Sequence, residues 1–139
     1  MSRSAGKGRT RPCGLEQARK RVGDARKYVE TAELVAAESG TESINVAAAL
    51  LVLAGIAAAD AACCKALGES SRSQDHRDAA DLLRRVQPGG ANAAKAFERL
   101  VGIKDQAHYG FVNVSRGELT AAKRRADQLV KFAELTLER

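Results

Sequence analysis

Between Val46 and Ala59 there is not one polar side chain. The surrounding stretch, residues 44–64, reads I-N-V-A-A-A-L-L-V-L-A-G-I-A-A-A-D-A-A-C-C. A helix that is apolar on every face belongs in a protein core or in a lipid bilayer. A bilayer span takes about 20 predominantly apolar residues. This uninterrupted run is shorter, and half of it is alanine, which carries little transfer energy. The sequence therefore predicts the central helix of a soluble bundle, with no membrane partner. Ala54, Gly55, Ala58 and Ala59 leave room for neighbouring helices to approach. Asp60 is the one ionisable residue within the run's helix, and a carboxylate is costly to bury without a partner. It is accordingly a candidate site residue.

The rest of the chain supplies partners for such a helix. Leu15, Ala18, Val22, Ala25, Val29, Ala32 and Ala36 follow the alternating three-four spacing of a bundle seam. They predict a first helix over 15–39, with Arg19, Lys20, Arg21, Arg26 and Lys27 on solvated faces. Gly40 suits a left-handed stop. The second helix fills 42–67 and ends at Gly68. Ser71 and Gln74 have capping-box spacing for a third helix, which turns Ala79, Leu82, Leu83 and Val86 inward and stops before Pro88-Gly89-Gly90. His76 reads as a surface or cap histidine. A fourth helix starts near Asn92, buries Ala93, Ala96, Phe97, Leu100 and Ile103, and continues into Lys104–Gly110. Ser115 and Glu118 form a capping box for a fifth, which buries Leu119, Ala122, Ala126, Leu129, Ala133 and Leu137. No strand and no repeat is expected. The fold class is all-α, an up-and-down bundle of about five helices.

The chain carries a net charge of +6. Arg3, Lys7, Arg9 and Arg11 precede any apolar pattern, and without them 19 bases face 17 acids. Residues 1–13 thus read as a basic, disordered leader, and 14–139 as a single helical domain. Three cysteines, two of them adjacent, do not resemble a disulfide framework, and an odd count suits a reducing cytoplasm. Their spacing is not that of a zinc site, so neither metal nor other cofactor is expected. No signal peptide is apparent.

Reactive groups concentrate at Lys104, Asp105, His108 and Tyr109. Four-residue spacing sets Lys104 and His108 on one face of a helix. An imidazole near neutrality can take the proton of a ribose 2′-hydroxyl, and a neighbouring cation can stabilise charge on the phosphate. Tyr109 can hold a phosphate oxygen or stack on a base. The simpler role for His108 is to face the negative end of a helix dipole.

The layout resembles the HEPN superfamily, and in particular a branch of small actinobacterial HEPN proteins. The matching residues are A-G-I-A-A-A-D-A-A-C-C-K-A-L-G-E-S-S-R-S-Q-D-H-R-D-A-A-D-L-L at 54–83 and K-D-Q-A-H-Y-G at 104–110. The resemblance covers nearly everything after the basic leader. It implies a homodimer in which two motifs face one cleft. It also implies a metal-independent endoribonuclease of a toxin–antitoxin or defence system, with RNA and an antitoxin protein as partners. The alternative is a non-catalytic dimer serving as an interaction or nucleic-acid-binding module. By position, His108 matches the motif histidine. Lys104 stands where the family has an arginine, with three residues intervening in place of four to six, and lysine cannot form arginine's bidentate fork. The expected catalytic set is Lys104, His108 and Tyr109, with Asp60 orienting one of them.

Overall fold

The computed structural model describes residues 9–73, 75–103 and 112–139. Helices dominate: α1 (Leu15–Ala36), α2 (Thr41–Leu67), α3 (His76–Arg84), α4 (Gly90–Val101) and α5 (Arg116–Leu137). Two short strands, β1 (Thr10–Pro12) and β2 (Glu69–Ser71), pair antiparallel, with Arg11 opposite Ser70. An all-α bundle is thus the coarse architecture, with a strand ribbon that the sequence did not announce.

The apolar run behaves as its composition demands. Ala47, Ala48, Leu51, Val52, Ala54, Ala57, Ala58 and Ala59 are all buried. By length and composition α2 could cross a bilayer, yet two-thirds of its most apolar window is buried within the bundle. The small residues do admit close neighbours: a Cβ on Gly55 would lie 2.4 Å from Leu100 Cδ2 and 3.3 Å from Leu129 Cδ1. α4 and α5 therefore meet α2 at this one glycine. Gly68, at φ +76°, closes α2 in the left-handed conformation, and its N–H bonds Cys64 O.

α1 returns antiparallel along α2, pinned by an ion pair between Arg21 and Asp60. It is also antiparallel to α5: Arg26 bonds Glu134 at 2.7 Å and Glu33 meets Lys123 at 2.9 Å. α1 ends at Ala36, three residues short of the expected Ser39, and Gly40 reverses the chain at φ +110°. The capping box at Ser115 and Glu118 opens α5 with both reciprocal bonds in place.

The cap of α3 differs from the expected one. Asp75, not Ser71, accepts the first-turn amide of Arg77 at 2.9 Å, and Ser71 belongs to β2. Within α3 Ala80 is fully buried and Ala79 only partly so. The turn at Pro88-Gly89-Gly90 holds, with Gly89 at φ +94°. α4 then ends at Val101, capped by Gly102, instead of continuing toward Gly110.

The cysteine expectation is overturned. Cys13 and Cys64 form a disulfide across a sequence separation of 51. Adjacent helical cysteines do point apart, so Cys63 stays a buried free thiol while Cys64 faces outward to Cys13. The leader boundary shifts for the same reason. Residues 10–12 are a strand and Cys13 is its covalent tie, so they belong to the fold rather than to a disordered leader. With two of three cysteines paired, the cysteine count no longer favours a reducing cytoplasm.

Candidate functional site

A cleft of about 490 Å³ opens where the N-terminal strand, the first turns of α1 and the C-terminal half of α2 converge. Cys13 and Cys64 lie in its wall, and Arg21, Asp60, Lys20 and Ser70 line it. α1 places Arg21 there because residue 21 lies three after Ala18 and four before Ala25, both fully buried seam residues. Its side chain flanks the seam and reaches across to α2.

Asp60 is the one predicted site residue that the described structure positions. Its Oδ2 accepts from Arg21 Nε at 3.1 Å and from Nη2 at 3.0 Å. The remaining guanidinium nitrogen, Nη1, donates to Asp24 at 3.1 Å, and Lys20 donates to the same Asp24 oxygen at 2.7 Å. Two carboxylates thus share two cations along the cleft. Burial pushes the Asp60 carboxyl above its ordinary range, and the charges of Arg21 and then Arg11 oppose that rise. The Lys20 hydrogen bond holds Asp24 below the ordinary range. Deeper in, burial pushes the Cys63 thiol up to about 12, with the Asp60 charge adding to the effect. Cys63 is therefore an inert core thiol at neutral pH.

Ser70 is the residue that sequence reasoning passed over most completely. It is 5% exposed and lies at the middle of β2, against the cleft. Its hydroxyl has no hydrogen-bond partner among the described residues. Arg21, which the sequence set on a solvated face, is instead drawn across the seam to Asp60; the one signal was that a carboxylate inside α2 needs a partner.

Lys104, His108 and Tyr109 lie outside the described residues, as does Asp105. What can be placed is the framework around them. α4 ends at Val101, so the helical face that joined Lys104 and His108 to Phe97 is not a continuation of α4. Downstream, Asn45 Oδ1 accepts the Val114 amide at 2.9 Å, and Asn45 Nδ2 donates to Asn113 at 2.9 Å. Residues 113 and 114 thus lie beside Asn45. Asp60 lies 15 residues further along α2, roughly 22 Å of helix axis. Asp60 takes Arg21 as its partner, far from Asn45. His76, expected at the surface, opens α3 with its ring edge-on to Phe97 at a centroid distance of 6.1 Å.

No family model matches the chain. Neither a curated protein nor a solved structure matches it either. No group of three or more metal-ligating side chains occurs among the described residues.

The second feature of functional interest is the outer face of α2. Val46 is 50% exposed and Leu53 37%, and Leu50 and Ile56 between and beyond them are only partly buried. These positions recur at helical spacing and form one apolar stripe that ends at Asp60. α2 is the most enclosed helix of the fold, yet this stripe has no partner helix among the described residues.

Proposed function

We propose that the chain is a HEPN-like helical module that pairs with a second copy through the outer face of α2 and binds RNA. The observation that carries the reading is the apolar stripe Val46–Leu50–Leu53–Ile56 on an otherwise enclosed helix. A symmetric pair covers such a stripe with its own copy, which is the commonest closed assembly. The RNA half of the reading rests on charge. Arg11, Arg19 and Arg72 lie at the end of the bundle that carries β1, β2 and the start of α1, and none makes a direct ion pair among the described residues, although the charge of Arg11 acts on Asp60. Arg3 and Lys7 precede them in the sequence. Unpaired cations of this kind release counterions when they meet phosphates.

The endoribonuclease reading rests on Lys104, His108 and Tyr109 alone, since Asp60 is engaged by Arg21. One experiment separates the two. Total RNA is incubated with the protein in EDTA, wild type against His108→Ala. The binding module predicts retention of RNA in a gel shift that weakens with salt, and intact RNA with both proteins. Cleavage by wild type and not by His108→Ala would replace it with the endoribonuclease. Absence of RNA retention at low salt, with no cleavage, would reject both.

A further inference from the structure

The segment 9–13, Arg-Thr-Arg-Pro-Cys, is held to the bundle by its disulfide, a short strand pairing and exposed polar contacts. Not one of its five residues is buried. It contributes no large apolar side chain to the core. Its strand pairs over three residues only, and Pro12 brings no amide hydrogen. Two-stranded ribbons of this size are marginal in water. Two further backbone bonds bracket the strand, from Cys13 N to Gly68 O at 2.9 Å and from Arg72 N to Arg9 O at 2.7 Å. The one ion pair, Arg9 to Asp78 at 3.3 Å, leaves Arg9 63% exposed, where such pairs contribute little.

The tie itself is open to attack from one side. Cys64 is 3% exposed, but Cys13 is partly exposed and stands in the wall of the cleft. Cys63, the neighbouring thiol, is buried and faces away from the pair, so it offers no competing partner.

We propose that the Cys13–Cys64 disulfide is a thiol-exchange site that docks and releases the N-terminal arm. A small soluble thiol enters the cleft, and its thiolate attacks Cys13 Sγ. The Sγ–Sγ bond breaks, its electron pair goes to Cys64 Sγ, and that sulfur takes a proton from water. A second thiolate attacks the mixed disulfide on Cys13. The external pair leaves as its own disulfide, and Cys13 leaves as a thiolate that water protonates. Two external thiols are oxidised and the protein disulfide is reduced. The released arm carries Arg11, Pro12 and Cys13 away from the cleft, uncovering Ser70, Asp60 and Arg21. It also frees Arg9 and Arg11. The proposal is independent of RNA binding.

Hydrogen exchange on the full-length protein tests it, with and without dithiothreitol, with complete reduction verified by thiol counting. The amides of Cys13 and Arg72 report the docked arm, and those of Leu51 and Val52 report the core. Reduction should speed exchange at the first pair by on the order of tenfold or more and bring it close to that of unprotected amides. The second pair also speeds up, because the cross-link no longer constrains the unfolded chain, but it stays far more protected than the first. Cys13→Ser should behave as reduced wild type without reductant, and Cys63→Ser should respond as wild type does. Unchanged arm protection after full reduction would overturn the proposal. So would loss of core protection together with that of the arm, or loss of the response in Cys63→Ser. The wild-type comparison decides the matter on its own.

Discussion

Asp60 shows how far a single residue can be argued from sequence. A carboxylate inside an apolar helix needs a partner, and that much was legible; that the partner is Arg21, which the sequence set on a solvated face, was not. The bidentate contact to one carboxylate oxygen is the form that pairing takes. Its competition with burial sets a pH dependence. Burial holds the folded-state pKa of Asp60 above its ordinary 3.8. The folded state therefore binds a proton that the unfolded state has already lost. Stability contributed by this residue is present at low pH and declines as pH rises from about 3.8 through the raised folded value. Asp24 and Asp75 shift the other way, so the difference between proteins is the quantity to read. In urea unfolding across pH 3 to 7, wild type minus Asp60→Asn should fall with pH over that window. A difference that is flat, or that rises, would show that the Arg21 charge outweighs burial. The partner of Cys13, by contrast, was not legible. Nothing local in a sequence marks two cysteines 51 positions apart as neighbours, and adjacency to Cys63 hid the outward direction of Cys64.

At the scale of elements, long periodic segments were readable and short ones were not. α4 and α5 show their buried faces in the sequence, whereas α2, apolar all round, showed that it is central but not which face stays exposed; the reciprocal bonds of the α5 cap follow from Ser115 and Glu118. The strands β1 and β2 have three residues each, too few for any period to show. Ser71 was drawn into a cap because its spacing fitted, but Asp75 lies closer to the helix start and accepts the amide directly. α4 ends at Val101, so the predicted run of one helix from Asn92 into Lys104 is interrupted, and the link between Lys104 and His108 lies outside the described residues. At the junction of α3 and α4 the start of one helix lies close against the backbone that ends the other. A Cβ on Gly90 would lie 2.5 Å from Leu83 O and 2.9 Å from Arg84 O. Backbone carbonyls cannot turn aside as a side-chain tip can. Gly90→Ala should therefore cost about 1–3 kcal/mol despite alanine's better helix propensity, read as a lower urea midpoint. A neutral or stabilising result would mean that α3 can shift freely on α4.

For the whole molecule, the bundle is one core around α2, closed at one end by a covalent staple. A loop of this length, when cross-linked, is worth about 4 kcal/mol on a chain-entropy estimate. The staple lies at the C-terminal end of α2, whereas the uncovered apolar stripe runs along its outer face from Val46 to Ile56. The staple and the face of the proposed pairing thus lie on different surfaces of the same helix. The proposed pairing follows from that uncovered stripe, and sedimentation equilibrium tests it most directly. Wild type at micromolar concentration should sediment at twice the chain mass. Leu53→Glu, which sets a carboxylate in the middle of the stripe, should sediment as a folded monomer with unchanged helical circular dichroism. A wild-type monomer at high micromolar concentration, or a Leu53→Glu protein that remains fully dimeric, would contradict pairing through α2.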